Sequence, residues 1–160
     1  MINLYLSLGS NMGDRLANIE AALALLDEAF GTRYTRLSSI IETPAWGFEG
    51  DDFLNCAVLY ALPRKRDVTA QALWILDVVK AVERGQGRAE DLEFDAEGRR
   101  VYHSRPIDID ILFFGPHRID HPRLQIPHPL IADRDFVRIP LEEIANPRLR
   151  RAFPAQFKRK

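Results

Sequence analysis

The sequence predicts an α+β domain in which two helices pack on one face of an antiparallel sheet. The chain opens with an alternation of apolar and polar residues that is typical of a strand. Two later stretches repeat apolar residues at three- and four-residue steps, which is typical of helices with one buried side. The elements follow the order β-α-β-β-α-β, and 160 residues suffice for one domain with a hydrophobic core. We therefore expect a single domain over residues 1–160.

The composition excludes several classes of protein. Hydrophobic residues make up 46% of the chain and the formal net charge is −1, which does not fit a disordered segment. Cys56 is the only cysteine, so a disulfide scaffold is excluded, and no apolar run reaches the length of a membrane span. The balanced charge argues against a dedicated nucleic-acid binder. We expect a soluble cytoplasmic protein with no membrane or nucleic-acid partner.

The first strand and the first helix follow from the opening of the chain. Residues 2–8 alternate, and a glycine-containing turn follows at residues 9–13. Asp14 or Asn11 can cap the next helix, which Gly31 closes. The predicted core positions of the two elements are Ile2, Leu4, Leu6, Leu8, Leu16, Ile19, Leu23, Leu26 and Phe30.

The middle of the chain predicts two further strands and a second helix. Residues 36–42 form the second predicted strand and residues 53–62 the third, with a proline- and glycine-containing loop between them. Asp67 caps the second helix, which Gly85 or Gly87 ends. Its apolar stripe consists of Ala72, Ile75, Leu76, Val79 and Val82.

The last third of the chain predicts one more strand and a C-terminal extension. Residues 88–101 are rich in charge and predict a solvated loop, and residues 107–114 predict the fourth strand. A short helix is expected at about residues 139–145. The series predicts a ferredoxin-like sandwich whose second sheet face is free for a site. Because this topology hosts unrelated functions, only the site can indicate the function.

Two aspartates on the fourth predicted strand are the sharpest candidates for chemistry. Asp108 and Asp110 point to the same side of a strand, about 7 Å apart. A divalent cation such as Mg²⁺ relieves their mutual repulsion, because it binds one or two carboxylates together with phosphate oxygens and water. Ordinary solvent-facing aspartates remain the alternative.

Basic residues flank this strand in the sequence. Arg88 follows the second helix, Arg105 precedes the aspartate pair, and His128 and Arg134 lie beyond it. Arginines beside a carboxylate-bound Mg²⁺ suit a polyphosphate, because both stabilise charge on phosphate oxygens. Each residue alone could be a solvated arginine or a structural loop histidine, so only their joint occurrence predicts a phosphate site.

A third set of residues predicts a pocket for a flat ring. Trp46 lies in a loop, and Phe53 and Asn55 share one face of the third strand. An aromatic ring beside an amide can stack on and hydrogen-bond a flat heterocycle. The alternative is that both aromatics are core residues and Asn55 bonds a neighbouring backbone.

Together these segments resemble the 6-hydroxymethyl-7,8-dihydropterin pyrophosphokinases of the folate pathway. Five blocks match in order over residues 2–146, and that order is highly specific. The blocks are Leu8-Gly9-Ser10-Asn11 with Gly13-Asp14-Arg15, Thr43-Pro44 through Gly47 with Phe53-Leu54-Asn55, Val82-Glu83 with Gly87-Arg88, Arg105 through Asp110 with Phe113-Phe114-Gly115, and Pro127-His128 with Arg134 and Phe136.

The resemblance implies a monomeric ferredoxin-like enzyme that uses ATP and two Mg²⁺ ions. It implies transfer of pyrophosphate to the hydroxymethyl group of the pterin with release of AMP, under a mobile lid of about residues 84–103. Asp108 and Asp110 would hold the metal, and Arg88 and Arg105 would grip the phosphates during transfer. The implied ATP contacts are Glu83, Arg88, Tyr102, Arg105, His128 and Arg134. The implied pterin pocket is Thr43, Pro44, Trp46, Phe53, Asn55 and Phe136.

Two other functions stay open at the level of the sequence. Another Mg²⁺-dependent nucleotide phosphohydrolase or transferase would use the aspartate pair without a ring pocket. A non-catalytic RNA-binding module of the same topology would present aromatic residues and a basic surface on its central strands. In this chain the predicted fourth strand carries Asp108 and Asp110 instead, which would repel phosphate in the absence of metal.

Overall fold

The computed structural model describes residues 1–44, 52–86, 96–97 and 106–158. These residues form one five-stranded sheet, a two-stranded sheet and short and long helices. Of the helices described, none is both long and apolar enough to cross a membrane. In chain order the elements are β1 (Ile2–Ser10), α1 (Arg15–Phe30), β2 (Arg36–Leu37), β3 (Ile41–Thr43), β4 (Phe53–Leu62), α2 (Val68–Gly85), β5 (Asp108–Phe114), β6 (Ile119–His121), β7 (Leu124–Ile126), α3 (Asp135–Ile144), α4 (Pro147–Ala152) and a 3-10 helix (Pro154–Phe157).

The five-stranded sheet is antiparallel and has the order β2-β4-β1-β5, with β3 also pairing with β4. The central strand β1 pairs with β4 on one side and with β5 on the other. Its register on β5 shifts between Tyr5 and Leu6, because Leu112 is an extra residue between the partners Ile111 and Phe113. The prediction of an α+β fold with an antiparallel sheet is therefore confirmed.

The helix ends form as the sequence predicts. The Asp14 carboxylate accepts a hydrogen bond from the amide of Ala17 at 3.1 Å and starts α1. Gly31 follows the helix with a φ of 69°, a left-handed conformation that favours glycine. Asp67 starts α2 in the same way, with a 3.0 Å hydrogen bond from the amide of Ala70.

The helices α1 and α2 cover one face of the sheet and form the main core with it. The predicted inward stripes are largely confirmed, but Leu16 in the first turn of α1 is 45% exposed, so that prediction is wrong. Phe30 and Leu76 are only partly buried. The fully or nearly fully buried members on this face include Leu4, Leu6, Leu8, Ile19, Leu23, Leu26, Cys56, Val58, Ile75, Val79, Val82, Ile109 and Ile111.

The second predicted strand is wrong as one continuous element, because residues 38–40 interrupt it between β2 and β3. The interruption has a local cause at Ser38. The Ser38 hydroxyl oxygen, instead of a backbone carbonyl, accepts the hydrogen bond from the amide of Ala57 at 2.8 Å. A side-chain acceptor in place of a backbone carbonyl breaks the ladder at this point.

Among the residues that the structure describes, the C-terminal extension covers one end of the opposite face of the sheet and leaves the other end uncovered. Tyr5, Leu59 and Phe113 lie at the covered end and pack under the C-terminal extension, in contact with buried residues of α3 such as Val137 and Leu141. The C-terminal helix begins earlier than predicted, at Asp135, and α4, the 3-10 helix and the β6–β7 hairpin were not predicted. The C-terminal extension therefore limits the possible site to the uncovered end of this face.

Candidate active site

Polar and small residues come together on the uncovered end of the sheet. Asn55 of β4, Gly9 of β1 and Asp108 of β5 lie opposite one another in register. Directly paired residues of antiparallel strands point to the same face, and so do residues two positions apart. Asp110 therefore shares this face as well, one row closer to the covered end.

The orientation of the Asn55 amide is fixed by its neighbours. Its Nδ2 donates to the Thr43 hydroxyl oxygen at 2.7 Å, and the side chain is almost completely buried. Its Oδ1 lies over Gly9, where an added Cβ would stand only 2.8 Å away and 3.3 Å from the Phe53 ring. Glycine at this position therefore lets the Asn55 amide and the Phe53 ring lie close to the backbone of β1.

The two aspartates project from β5 as predicted, and both are partly exposed. Asp110 Oδ1 lies 3.8 Å from His128 Nε2, and Asp110 Oδ2 lies 3.9 Å from an Nη1 of Arg134. Both distances exceed hydrogen-bond length, but they place two basic side chains close to the carboxylate. The structure thus brings together four of the residues that the sequence singled out.

His128 is neutral at this site at physiological pH. Burial and, to a smaller extent, the nearby Arg134 guanidinium lower the pKa of His128 to about 4, against the weaker opposing effect of Asp108. Its Nδ1 accepts a hydrogen bond from the amide of Leu130 at 3.2 Å, which leaves the proton of the neutral ring on Nε2. The Nε2–H therefore faces Asp110 as a neutral donor, and the pair is not an ion pair at pH 7.

Arg134 connects the acidic pair to an aromatic residue. It occupies the position just before α3, and its guanidinium lies 5.8 Å from the centre of the Phe136 ring as well as near Asp110. The first turn of α3 thus places a cation and a ring beside the uncovered end of the sheet.

Glu83 is a buried carboxylate, whereas the two aspartates of β5 are partly exposed. It lies near the end of α2, is 7% exposed, and its Oε2 accepts a hydrogen bond from the amide of Ile109 at 3.0 Å. Ile109 stands between Asp108 and Asp110, so this carboxylate ties α2 to the strand that carries the pair. The sequence contained a signal for this role, since Glu83 directly follows Val82 on the inward side of α2.

Several predicted site residues cannot be placed. Trp46, Arg88, Tyr102 and Arg105 lie outside the described residues, and of the predicted lid only residues 84–86 and 96–97 are described. Pro44 is exposed at the end of β3.

The donor set at the acidic pair fits Mg²⁺. Within the described ranges no three His, Cys, Asp or Glu side chains come close enough to form a metal cage. Mg²⁺ commonly uses one or two carboxylates and takes its other ligands from phosphate and water. Asp108 and Asp110 on one face supply those carboxylates.

The fold is an α+β fold in which an acidic pair and a buried amide share one sheet face, with two basic side chains beside the pair. The model of the 7,8-dihydro-6-hydroxymethylpterin-pyrophosphokinase (HPPK) family matches residues 5–146. The chain belongs to this family.

Individual relatives agree with that match. A 2-amino-4-hydroxy-6-hydroxymethyldihydropteridine pyrophosphokinase of Porphyromonas gingivalis is 42% identical over 147 residues, 91% of this chain and 92% of the relative. A protein of the same name from Aquifex aeolicus is 37% identical over 145 residues, 90% of this chain and 81% of the relative. A folate synthesis bifunctional protein of Arabidopsis thaliana is 38% identical over 143 residues, which are 88% of this chain but only 26% of that protein.

Proposed function

We propose that this site transfers the pyrophosphoryl group of ATP to the hydroxymethyl group of 6-hydroxymethyl-7,8-dihydropterin, with release of AMP, in folate biosynthesis. Membership of the family makes the chain an ATP-dependent pyrophosphokinase. The observation that supports the use of this site is the row Asn55–Gly9–Asp108, in which an amide and a carboxylate lie on one face of the sheet with glycine between them.

The spacing of that row suits the acceptor substrate. Neighbouring strands lie about 4.8 Å apart, so Asn55 and Asp108 are separated by roughly 10 Å across the bare backbone of Gly9. A two-ring heterocycle with a one-carbon substituent spans such a distance. The pterin ring would lie toward Asn55, and its hydroxymethyl group would lie toward the acidic pair.

The ring pocket would consist of residues from three elements and one loop. Because Asn55 Nδ2 already donates to Thr43, Asn55 Oδ1 would accept a hydrogen bond from the pterin. Phe53 and Phe136 would stack on the two faces of the ring. The proposed pocket residues are Thr43, Pro44, Trp46, Phe53, Asn55 and Phe136.

The phosphate side of the site would use the acidic pair and its basic surround. Asp108 and Asp110 would hold two Mg²⁺ ions, whose charge would neutralise and orient the phosphate oxygens of ATP. The guanidinium of Arg134 and the neutral Nε2–H of His128 would donate to ATP. The other proposed ATP contacts are Glu83, Arg88, Tyr102 and Arg105, of which Arg88 and Arg105 would act during transfer.

The reaction depends mainly on positioning the two substrates and on neutralising the charge of the phosphates. The pterin hydroxyl oxygen forms a bond to the β-phosphorus as the bond to the α-phosphate oxygen breaks and AMP departs. Phosphoryl-type transfer needs little covalent participation by the protein. One carboxylate of the pair would accept the hydroxyl proton.

Further features of the proposal rest on the resemblance and on the strand order. The order β2-β4-β1-β5, with α1 and α2 on one face, supports a ferredoxin-like topology. A lid over residues 84–103, a single domain over residues 1–160, a monomeric state and a cytoplasmic location belong to the same proposal.

An assay for AMP distinguishes this function from the alternatives. We expect AMP to appear from ATP only when the hydroxymethyl pterin is present, and only with its hydroxyl group intact. AMP or phosphate release without the pterin would indicate a phosphohydrolase. RNA binding without any turnover would indicate a non-catalytic module.

A further inference from the structure

The two elements beside the proposed pterin pocket are joined at their far ends. One element is β3, which ends at Thr43, and the other is α3, whose first turn carries Phe136. Away from the pocket, Arg36 of β2 and Ser39, which precedes β3, form hydrogen bonds with the end of α3 at Glu143 and Ile144. The residues of interest are Arg36, Ser39 and Glu143. We call these three residues the α3 clamp.

In every bond of the α3 clamp the donor lies on the segment before β3 and the acceptor lies on α3. Glu143 Oε1 accepts from the amide and from the hydroxyl of Ser39, each at 2.9 Å. Arg36 donates from Nη1 to the carbonyl of Ile144 at 3.1 Å and from Nη2 to the carbonyl of Glu143 at 3.3 Å. The last carbonyls of a helix have no partners within the helix and favour a nearby cation, so Arg36 is well suited to hold this end of α3.

The clamp and the proposed ring-binding residues lie toward opposite ends of two chain segments, residues 36–43 and α3. Glu143 follows Phe136 by seven residues, about two turns, and so lies on the same side of α3. Ser39 precedes Thr43 by four residues of the chain that leads into β3. A movement of the helix end relative to Ser39 is therefore passed to the distance between Phe136 and Thr43.

The other contacts between α3 and the sheet fix the distance between Phe136 and Thr43 less tightly than the clamp does. The inward residues Val137, Leu141 and Ile144 pack against apolar side chains. Hydrophobic contact holds the helix on the sheet, but it is not directional. The hydrogen bonds of the clamp are directional and cross from α3 to the segment before β3.

We propose that Glu143, together with Arg36 and Ser39, is a positioning residue that sets the width of the pterin pocket. This inference rests on the proposed function. Glu143 contacts no substrate in this scheme; it acts through the placement of Phe136 opposite Thr43 and Asn55. Because the clamp lies at the surface and far from the acidic pair, its loss should weaken pterin binding without impairing phosphate chemistry.

The test separates the Michaelis constants of the two substrates. Glu143→Ala should raise KM for the pterin about fivefold, because both exposed hydrogen bonds from Ser39 are lost, and leave kcat and KM for ATP within about twofold. Glu143→Gln retains an acceptor oxygen and should restore pterin KM to near the wild-type value. Ser39→Ala removes one of the two bonds to Glu143 and should produce a smaller rise in pterin KM.

Glu142→Ala is the matched control, since Glu142 is the neighbouring carboxylate and pairs with Arg138 of the same helix at 2.8 Å. It should lower the unfolding temperature but leave pterin KM unchanged. An unchanged pterin KM in folded Glu143→Ala, or an equal rise in Glu142→Ala, would overturn the inference. If Glu143→Ala does not fold, an unchanged pterin KM in Ser39→Ala overturns it. Absence of pterin-dependent AMP release by the wild type would instead reject the proposed function.

Discussion

The sheet face that α3 contacts has two ends that differ in chemistry although they share the same three strands. At the covered end the side chains are large, apolar and buried under the C-terminal extension. At the other end Gly9 has no side chain, Asn55 carries an amide, and Asp108 and Asp110 carry carboxylates. From the uncovered to the covered end, the residues in register are Gly9, Ser7 and Tyr5 on β1, Asn55, Ala57 and Leu59 on β4, and Asp108, Asp110 and Phe113 on β5.

This gradient shows how one sheet can serve both as core and as the floor of the proposed active site. Along each strand the residues change from polar to apolar within a few positions. The apolar packing that holds β1, β4 and β5 together therefore lies next to the polar row. A rigid neighbour of this kind favours precise placement of catalytic groups. The comparison predicts that substitutions at the two ends should separate activity from stability.

The largest effect is expected for Asp110→Ala at the uncovered end. Loss of one carboxylate of the acidic pair should lower kcat for AMP release by at least about 10³-fold, because stabilisation of phosphate charge is the main catalytic contribution. The free energy of unfolding should change little, since the side chain is partly exposed.

Asp120→Ala on the β6–β7 hairpin provides the control for removal of a carboxylate, because Asp120 is exposed and lies outside the site. Its kcat should match that of the wild type. Unchanged AMP release by Asp110→Ala would contradict the assignment of this end of the sheet.

Phe113→Ala should have the opposite profile at the covered end. The Phe113 ring is fully buried, stacks on Phe157 with centroids 5.9 Å apart and meets Tyr5 edge-on at 6.2 Å. Its loss should cost about 3–5 kcal/mol of unfolding free energy in a urea titration. The kcat of the molecules that remain folded should stay close to the wild-type value. A kcat as low as that of Asp110→Ala would show that the two ends do not act separately.

Gly9→Ala tests the bare backbone at the centre of the polar row. The new Cβ would approach Asn55 Oδ1 to 2.8 Å and displace an amide that Thr43 holds. We expect pterin KM to rise by about 10- to 100-fold, with a smaller change for ATP.

Gly31→Ala is the comparison for this substitution, because Gly31 has a φ of 69° and no atom within 4 Å of an added Cβ. It should cost roughly 1 kcal/mol of stability and leave pterin KM unchanged. Equal pterin KM values for the wild type and Gly9→Ala would remove Gly9 from the proposed ring pocket.

Local sequence patterns were sufficient for the features that depend on neighbouring residues. The caps at Asp14 and Asp67, the faces of β4 and the shared side of Asp108 and Asp110 all follow from such patterns, and the structure confirms them. The hydrogen bond between the side chains of Asn55 and Thr43 depends on the register between β3 and β4, which alternation alone does not specify.

Other features depend on irregularities that have no periodic signal. Strict alternation from Asp108 would turn Phe113 toward α1 and α2, but the extra residue Leu112 turns it to the other face. The break at Ser38 depends on a side-chain hydrogen bond to a residue nineteen positions away. The C-terminal extension covers part of the predicted free face because its apolar residues meet Tyr5 and Phe113, a contact between distant parts of the chain.

The smallest expected effect concerns Cys56, which stands between Asn55 and Ala57 but faces the opposite, helix-covered core. Burial raises the pKa of the Cys56 thiol to about 12. In the unfolded chain the thiol ionises near pH 8.5, so the unfolded state loses protons first as pH rises. The wild type should therefore lose about 1–2 kcal/mol of stability relative to Cys56→Ala between pH 8 and 10.

Parallel unfolding titrations of the two proteins at both pH values measure this difference, because groups that they share cancel in the comparison. At pH 8 a thiol reagent should label native Cys56 only as fast as the core opens, which mass spectrometry can follow. Rapid labelling, or a stability difference between the two proteins that is the same at pH 8 and at pH 10, would mean that solvent reaches the helix-covered face of β4. Asn55 and Cys56 would then differ only in the chemistry of their side chains, and not in whether solvent reaches the face on which they lie.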